Sequence, residues 1–540
     1  MKRTSFITLL LMAIIGGGCK NNSTEYRTIS PEVLKDKIAG GWAGKMIGVT
    51  YGAPTEFRAQ GKTYEDSIKW VPSDVKGSIW QDDIYVQLTF LMTMDQYGMD
   101  APAKKYQELF AKAGYQLWHA NVQARKNYFD SIFPPQSGHP DYNLHADDID
   151  FQIEADYIGF MCPGMPQTAN KIADKTGHIM NYGDGVYGGV FVAALYAEAY
   201  FENDIPKIIE KALLSIPSES DYSKIVNDVI LLHKHYPTDW RAAWAELEAK
   251  WGKVQICEAG STFNIDAKLN GAYIVMGLLY GEGDPVKTME VSTRCGQDSD
   301  CNPSNAMAVL GVIKGLSGLP AEYQSAVNAI GDSLFVNTSY SFNKAVVKTL
   351  EYAEKLAVEN GGEATDKAIK IKVQQPQPFA LEVAFPKLVF DKKINVFASE
   401  GWEIKGTWNS YTQVNSWSKQ ETKNQAKYSG KAGDEATFTF EGTGASIVGN
   451  WLKDGGKADV FVDGKFNRTI DCYFNFANQE HHSMNLFHIT NLPLGKHAIR
   501  FVVKGEKRPE STNTNVYITD AVVFKTADKI NEGYKFSFQK

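Results

Sequence analysis

The chain has 540 residues, too long for one ordinary domain, and about two to four are expected. A hydrophobic share of 43% and a charged share of 22% are those of a soluble globular protein. Lys plus Arg is 56 against 63 for Asp plus Glu, a net charge of −7 with no basic tract, which excludes the electrostatic footprint of a nucleic-acid binder.

The N-terminus reads as a targeting segment. Lys2 and Arg3 precede an apolar run from Phe6 to Ile15, then Gly16, Gly17, Gly18 and Cys19. A positive start, a short apolar run and small residues make a secretory signal too short to span a membrane. Cys19 directly after small residues resembles a bacterial lipoprotein cleavage box, with Gly16 where a large aliphatic is usual. The expectation is an exported lipoprotein, periplasmic or cell-surface, held to the membrane by a lipid on Cys19 alone. Cys162, Cys257, Cys295, Cys301 and Cys472 remain, an odd and scattered set that implies no disulfide framework. Cys295 and Cys301 pair only if the loop between them folds back. No Cys or Cys/His spacing of the usual zinc type appears, so no zinc site is expected.

After a polar tether, Ser30-Pro31-Glu32 opens a helix with Gly40, Gly44 and Gly48 every four residues. Each glycine costs a helix about 1 kcal/mol relative to alanine, so three in register predict a very close neighbour. The helix gives way at Gly52-Ala53-Pro54, and Glu56 lies on that turn. Next, Ile84, Leu88, Leu91 and Met92 mark a helix whose first turn holds Gln81, Asp82 and Asp83. Adjacent carboxylates suit a helix N-terminus or a cation. The run from His145 to Asp156 is unusually acidic, and the spacing of Asp147, Asp150 and Glu154 puts them on one helical face, either a salt-bridged surface or a cleft wall. His178 and Asp184 flank a Gly-rich turn that enters an apolar helix at Val190. Helical patterns continue through 205–214, 222–233, 240–250 and 271–280.

In CGQDSDCNPSNAMAVLGVIKG, residues 295–315, Asp298 and Asp300 sit in a loop that feeds a small-residue helix predicted to start at Asn302-Pro303. Two acidic helix starts are how a chain presents several oxygen ligands to one Mg²⁺ or a pair of them.

At VQQPQPF, residues 373–379, the character changes. Beyond it, short alternating runs such as EATFTFEG and KADVFVDGKF, separated by Gly, Asn and Asp turns, predict an all-β sandwich. Trp402, Trp408, Trp417, Trp451 and Tyr473 are either sugar-stacking faces or sandwich core. The predicted domains are a signal segment 1–19, an all-α domain 28–365, a linker 366–390 and a β-sandwich 391–540.

Four motifs in order carry a resemblance to the ADP-ribosylglycohydrolase family: GGWAGKMIGVTYGAPTEF, WQDDIYVQ, GHIMNYGDGVYGGVFVAAL and GQDSDCNPSNAMAVLGVIKG. What the resemblance implies is an all-α, orthogonally packed domain with one or two Mg²⁺ ions in a central cleft. Gln81, Asp82, Asp83, Asp298 and Asp300 would be ligands, and Glu56 would stand beside the substrate sugar. Val49, Ile84 and Cys301 depart from the family pattern, and a thiol is a poor ligand for a hard cation. The sandwich resembles galactose-binding-like (jelly-roll) modules of carbohydrate enzymes. The implied activity is Mg²⁺-dependent hydrolysis of a furanoside on a glycan. Glu56, Asp83 and Asp298 would act in catalysis, and Asp148, His178 and Asp184 would line the substrate side. The alternatives are an ADP-ribosyl-protein hydrolase, a non-catalytic carbohydrate-binding lipoprotein and, third, a phosphoester metallohydrolase. The oligomeric state is left open.

Overall fold

The structure is a computed structural model that describes residues 25–414, 420–476 and 479–540. The signal segment with Cys19, and Trp417, lie outside the described residues. No described helix is long and apolar enough to cross a membrane.

The opening helix spans Pro31–Gly52, with proline in its first turn and the Ser30 hydroxyl accepting from Val33 N at 3.3 Å. It is buried along most of its length because it pairs with a second buried helix, Cys301–Lys314. The glycine strip sets how close the two come. A Cβ on Gly44 would lie 2.4 Å from Met307 O, one on Gly48 2.4 Å from Pro303 O, and one on Gly52 2.0 Å from Ser299 O and 2.4 Å from Asp300 Cα. Only bare backbone permits this approach, and its last step seats the loop that carries Asp298 and Asp300. Gly52→Ala is therefore expected to cost about 1–3 kcal/mol, read as a lower denaturation midpoint.

The later helix starts at Cys301, not at Asn302-Pro303, with Asp300 in the cap position. Asn302 instead donates its side-chain amide to Asn270 Oδ1 at 3.0 Å, a tertiary bond that the local capping pattern does not reveal. The acidic run 147–156 is also not one continuous helix. Asp150–Glu154 and Asp156–Phe160 are two short helices that meet at Ala155, and Asp150, Glu154 and Asp156 are all buried. The other helical patterns form as Ile205–Leu213, Asp221–His235, Trp240–Trp251 and Ala267–Gly281.

The helical domain closes on itself through a small sheet. Tyr26–Ile29 pairs antiparallel with Ile369–Lys372, which also pairs with Glu363–Ala364. Residues 369–372 thus belong to the helical domain, although composition puts them in the linker. The stretch that follows is strapped down: Glu382 N donates to the Tyr187 hydroxyl at 2.6 Å.

The C-terminal region is all-β, as its alternating runs predict. One sheet has the order Lys465–Asp471, Lys457–Val462, Gly495–Val503, Glu435–Gly442, Trp402–Lys405. The other runs His481–Ile489, Gly444–Trp451, Val516–Thr526, Glu421–Ser429, Asn409–Val414, with Leu388–Asn395 also paired to Val516–Thr526. Phe438, Ile447, Val460, Ile499, Phe501 and Val523 fill the space between the sheets. The sandwich docks on the helices through Arg508, which reaches Asp130 at 2.6 Å and Asp471 at 2.8 Å. Arg468 adds a bond to Asp141 O at 3.0 Å. The five described cysteines are free and buried, so Cys295 and Cys301 are not paired.

Candidate active site

Two acidic chain segments meet at one end of the paired helices. Gln81 occupies the cap position of the helix Asp82–Tyr97, where its side chain makes no capping bond. Across from it, the loop before Cys301 is fixed on several sides. Phe57 N donates to Gln297 O at 3.0 Å and Gln297 N to Ala59 O at 2.8 Å. Asn264 N donates to Gln297 Oε1 at 2.9 Å, and Asp298 N to Asn270 Oδ1 at 3.3 Å. The Thr55 and Ser299 hydroxyls lie 2.7 Å apart. Gly296 and Gln297, with φ of 87° and 55°, turn the chain so that the next carboxylates face inward.

One carboxylate oxygen each from Glu56, Asp298 and Asp300 lies within 4.8 Å of the others, and Asp83, Asp300 and Cys301 form a second such group. Asp300 Oδ1 is buried without a hydrogen-bond partner in the protein. Asp83 is fully buried, with Oδ1 3.1 Å from Lys45 Nζ and Oδ2 accepting from the Cys301 thiol at 3.0 Å. Lys45, also fully buried, bridges to Asp156 at 3.1 Å. Five carboxylates thus converge with one lysine against them.

Like charge and burial act together here. Cleft burial first, then Asp300, Asp82 and Asp83, push the Glu56 carboxyl up to about 9, even though the residue as a whole is exposed at the mouth. Burial and then Asp83 raise Asp82 to about 7. Asp298 and Asp300 are held well above the carboxylate range, chiefly by burial. An unpartnered buried oxygen among carboxylates that repel one another is an arrangement a divalent cation resolves.

The cleft above these groups has a volume of about 220 Å³ and is lined by Glu56, Gln81, Asp82, Asp150, Asp298 and Asp300, with Cys301 and aromatic residues around them. Its rim carries Trp80 and Trp118, 66% and 48% exposed, the most exposed tryptophans of the described chain. The sandwich aromatics differ: Trp451 is buried, Trp402 leans on Phe438, and Tyr473 lies under Arg508. Sequence reading did not single out Trp80 and Trp118. The available signal is a tryptophan immediately before Gln81-Asp82-Asp83, where a solvated helix start leaves a neighbouring large ring uncovered.

Asp148, His178 and Asp184 do not line this cleft. His178 lies in a surface pocket beside Pro135 and Tyr182, where its Nε2 meets Glu382 at 3.0 Å. Asp184 accepts from Tyr222 N at 3.1 Å and lines another pocket with Asp147, Asp266 and Lys268. Asp148 turns to His145, 2.8 Å away. Asp150, from the same acidic run, does reach the cleft wall, where it accepts from Asn121 N at 2.9 Å. The run splits this way because Asp148 lies on an isolated bridge to Asp266, whereas the helix begins only at Asp150.

The sequence model of the family described as ADP-ribosylglycohydrolase matches residues 30–356. The chain belongs to the ADP-ribosylglycohydrolase family. A solved structure titled "ADP-ribosylglycohydrolase-related protein complex" is 13% identical and aligns over 60% of this chain and 98% of that one, with a TM-score of 0.43. A part of the chain is similar to the CBM36-1 domain of a multidomain xylanase from the hindgut metagenome of Trinervitermes trinervoides, at 14% identity over 26% of this chain and 98% of that chain, TM-score 0.17. A part is also similar to a family 35 carbohydrate binding module from an environmental isolate, at 17% identity over 25% and 93% of the two chains, TM-score 0.17. No curated protein matches. The family match supports a glycosyl-hydrolase-like function for this ADP-ribosylglycohydrolase domain, and the convergent carboxylates are groups that could hold a metal.

Proposed function

We propose that the protein is a Mg²⁺-dependent glycoside hydrolase that cleaves the anomeric bond of a furanoside on a glycan. The observation that carries this reading is the convergence of Glu56, Asp298 and Asp300 around the unpartnered Asp300 Oδ1 at the floor of a cleft rimmed by exposed tryptophans. Asp82, Asp298 and Asp300, with the Gln81 amide oxygen, form an oxygen donor set suited to a hard cation. Bound there, such a cation supplies Lewis acidity toward sugar hydroxyls and water. One cation is better provided for than two, because Asp83 gives one oxygen to Lys45 and the other to the Cys301 thiol.

The protein's own groups do the rest. Glu56 stands at the mouth, its carboxyl raised to about 9 in the metal-free cleft, and is placed to give a proton to a departing oxygen. With a cation bound, Asp82 and Asp298 would give up their protons and put negative charge where an oxocarbenium-like centre develops. Trp80 and Trp118 offer flat apolar faces to a sugar ring. Glu56→Gln is expected to lower turnover about 10²–10⁴-fold while Mg²⁺ affinity changes little. Equal losses in both would place Glu56 among the ligands.

A glycan is favoured over an ADP-ribosyl protein for two reasons. Five carboxylates against one lysine disfavour a diphosphate except where Mg²⁺ offsets the charge. The lipoprotein pattern ending at Cys19 favours a location outside the cytoplasm, where ADP-ribosylated proteins are scarce. ADP-ribosyl-protein hydrolysis is the second reading, favoured by the family itself. Arabinofuranosides, galactofuranosides and ADP-ribosyl-arginine or -serine conjugates, each offered with and without EDTA, decide between them. The expected result is furanoside turnover lost with EDTA and restored by Mg²⁺. Release of ADP-ribose alone would sink the glycan reading.

A further inference from the structure

In the cleft wall, four ligand atoms of three chemical kinds face one another from three separate stretches of chain. His145 Nδ1 is 2.8 Å from Asp148 Oδ2 and 3.1 Å from Cys257 Sγ. His119 Nδ1 is 3.6 Å from the same Asp148 oxygen and 3.9 Å from Cys257 Sγ. All four atoms lie within 4.8 Å of one another. Asp148 and Cys257 are buried, and the two imidazoles are mostly covered.

We propose that His119, His145, Asp148 and Cys257 form a closed, structural zinc site in the wall of the carboxylate cleft, which His119 also lines, with none of its ligands shared with the carboxylate cluster. Bond lengths of about 2.0–2.3 Å to nitrogen, oxygen and sulfur imply tetrahedron edges of roughly 3.3–3.7 Å, and the four distances above bracket that range. The donor set sorts the metal. One thiolate, two imidazoles and one carboxylate suit a borderline cation such as Zn²⁺, whereas the cleft offers oxygen to a hard one. One thiolate and one carboxylate also balance Zn²⁺, leaving a buried site neutral.

Two other readings of the cluster fit less well. A nucleophile relay needs the thiol on one imidazole nitrogen and the carboxylate on the other, but Asp148 and Cys257 share Nδ1 of His145. A hydrogen-bonded network lets His145 Nδ1–H and the Cys257 S–H both donate to Asp148, but it leaves His119 Nδ1 3.6 Å from Asp148 and 3.9 Å from Cys257, too far for a strong bond. Among the described residues no lysine or arginine pairs with Asp148, whose ion-pair partners are the two histidines. Zinc binding releases the Cys257 thiol proton to solvent and forms the Zn–S bond, with no redox change.

Four protein ligands leave no open position, which is the structural form of a zinc site. Its effect is mechanical. It joins the start of the helix His119–Phe129, the turn before Ile149 and the segment around Cys257. His119 begins its helix at φ 42° and Glu258, next to Cys257, sits at φ 50°, strained positions that a metal bond holds in place. His119 stacks on Phe263 at 5.6 Å, and Phe263 packs on Phe57 at 4.8 Å, beside Glu56. The zinc thus braces the wall that presents Trp118. Spacing rules missed the site because its ligands are spread over positions 119 to 257.

The test uses the full-length protein and metal alone. The expected result is about one zinc per chain that survives dialysis without being displaced by excess Mg²⁺. Replacement by Co²⁺ should give a thiolate-to-cobalt charge-transfer band with intense tetrahedral d–d absorption. Cys257→Ser is expected to lose that band, His145→Ala to lose at least tenfold in zinc affinity, and Asp300→Asn to keep both. A wild-type protein that takes up Co²⁺ without a sulfur band, or binds no zinc, overturns the proposal with no need for any variant to fold. A band that persists in Cys257→Ser overturns it equally.

Discussion

Asp300→Asn is expected to fold, to lose hydrolytic activity and to show no Mg²⁺-dependent rise in melting temperature. Asp300 caps its helix through the backbone alone, so the helix loses no side-chain bond. Its Oδ1 is the unpartnered atom at the centre of the carboxylate cluster, and removing one of several repelling charges relieves strain in the metal-free protein. Wild-type protein, in contrast, gains about 2.7 kcal/mol when free Mg²⁺ is one hundred times its Kd. The same electrostatics set a pH dependence. Glu56 at about 9 and Asp82 at about 7 hold protons that the unfolded chain has already released at pH 5 to 7. More protons bound in the native state means stability falls as pH rises, from the ordinary carboxylate range up to about 9. Mg²⁺ is expected to flatten that slope in the wild type and not in Asp300→Asn. A variant that keeps turnover, or still responds to Mg²⁺ in the melt, removes Asp300 from the site.

Much of this centre is legible in the amino-acid sequence. Asp82 and Asp83 stand out because paired acids at a helix start need a reason, and Asp298 and Asp300 because they precede a strip of small residues. The Gly40–Gly44–Gly48 period predicts the close helix pair, which proves to be the device that seats the aspartate loop. What stays hidden is whatever depends on distant partners. Nothing local separates Lys45, within AGKMIG, from a surface lysine, since its partners come from positions 83 and 156. His178 and Asp184 flank a Gly-rich turn of the kind that lines sites, yet the fold sends them to other faces. Their contacts, Glu382 and Tyr222, belong to segments whose placement only tertiary packing decides.

Lys45→Met is expected to be the most destabilising single change near the site. Nζ of Lys45 lies 3.1 Å from Asp83 Oδ1 and 3.1 Å from Asp156 Oδ2, and donates to Ile153 O at 2.9 Å, with all three charged side chains wholly enclosed. Burial works against its charge, but Asp156 and then Asp83 outweigh it and hold its pKa above the ordinary lysine value. Methionine fills nearly the same volume, so packing alone predicts a mild effect. The charges predict a severe one, because breaking a buried pair on one side costs about 3–5 kcal/mol. Asp156 keeps bonds from Gln87 and Asn305, each at 3.0 Å, and from the Tyr196 hydroxyl. Asp83 keeps only the Cys301 thiol among its side-chain donors in the described residues. The loss therefore falls mainly on Asp83, and Mg²⁺ in the cleft is expected to recover part of it. Lys45→Met with Asp83→Asn is then expected to be more stable than Lys45→Met alone, a coupling that denaturant unfolding with and without Mg²⁺ measures directly. A single-variant loss below about 1 kcal/mol, the size of a solvated surface pair, would mean that water reaches the ion pair and that the cleft floor is open beneath the aspartates.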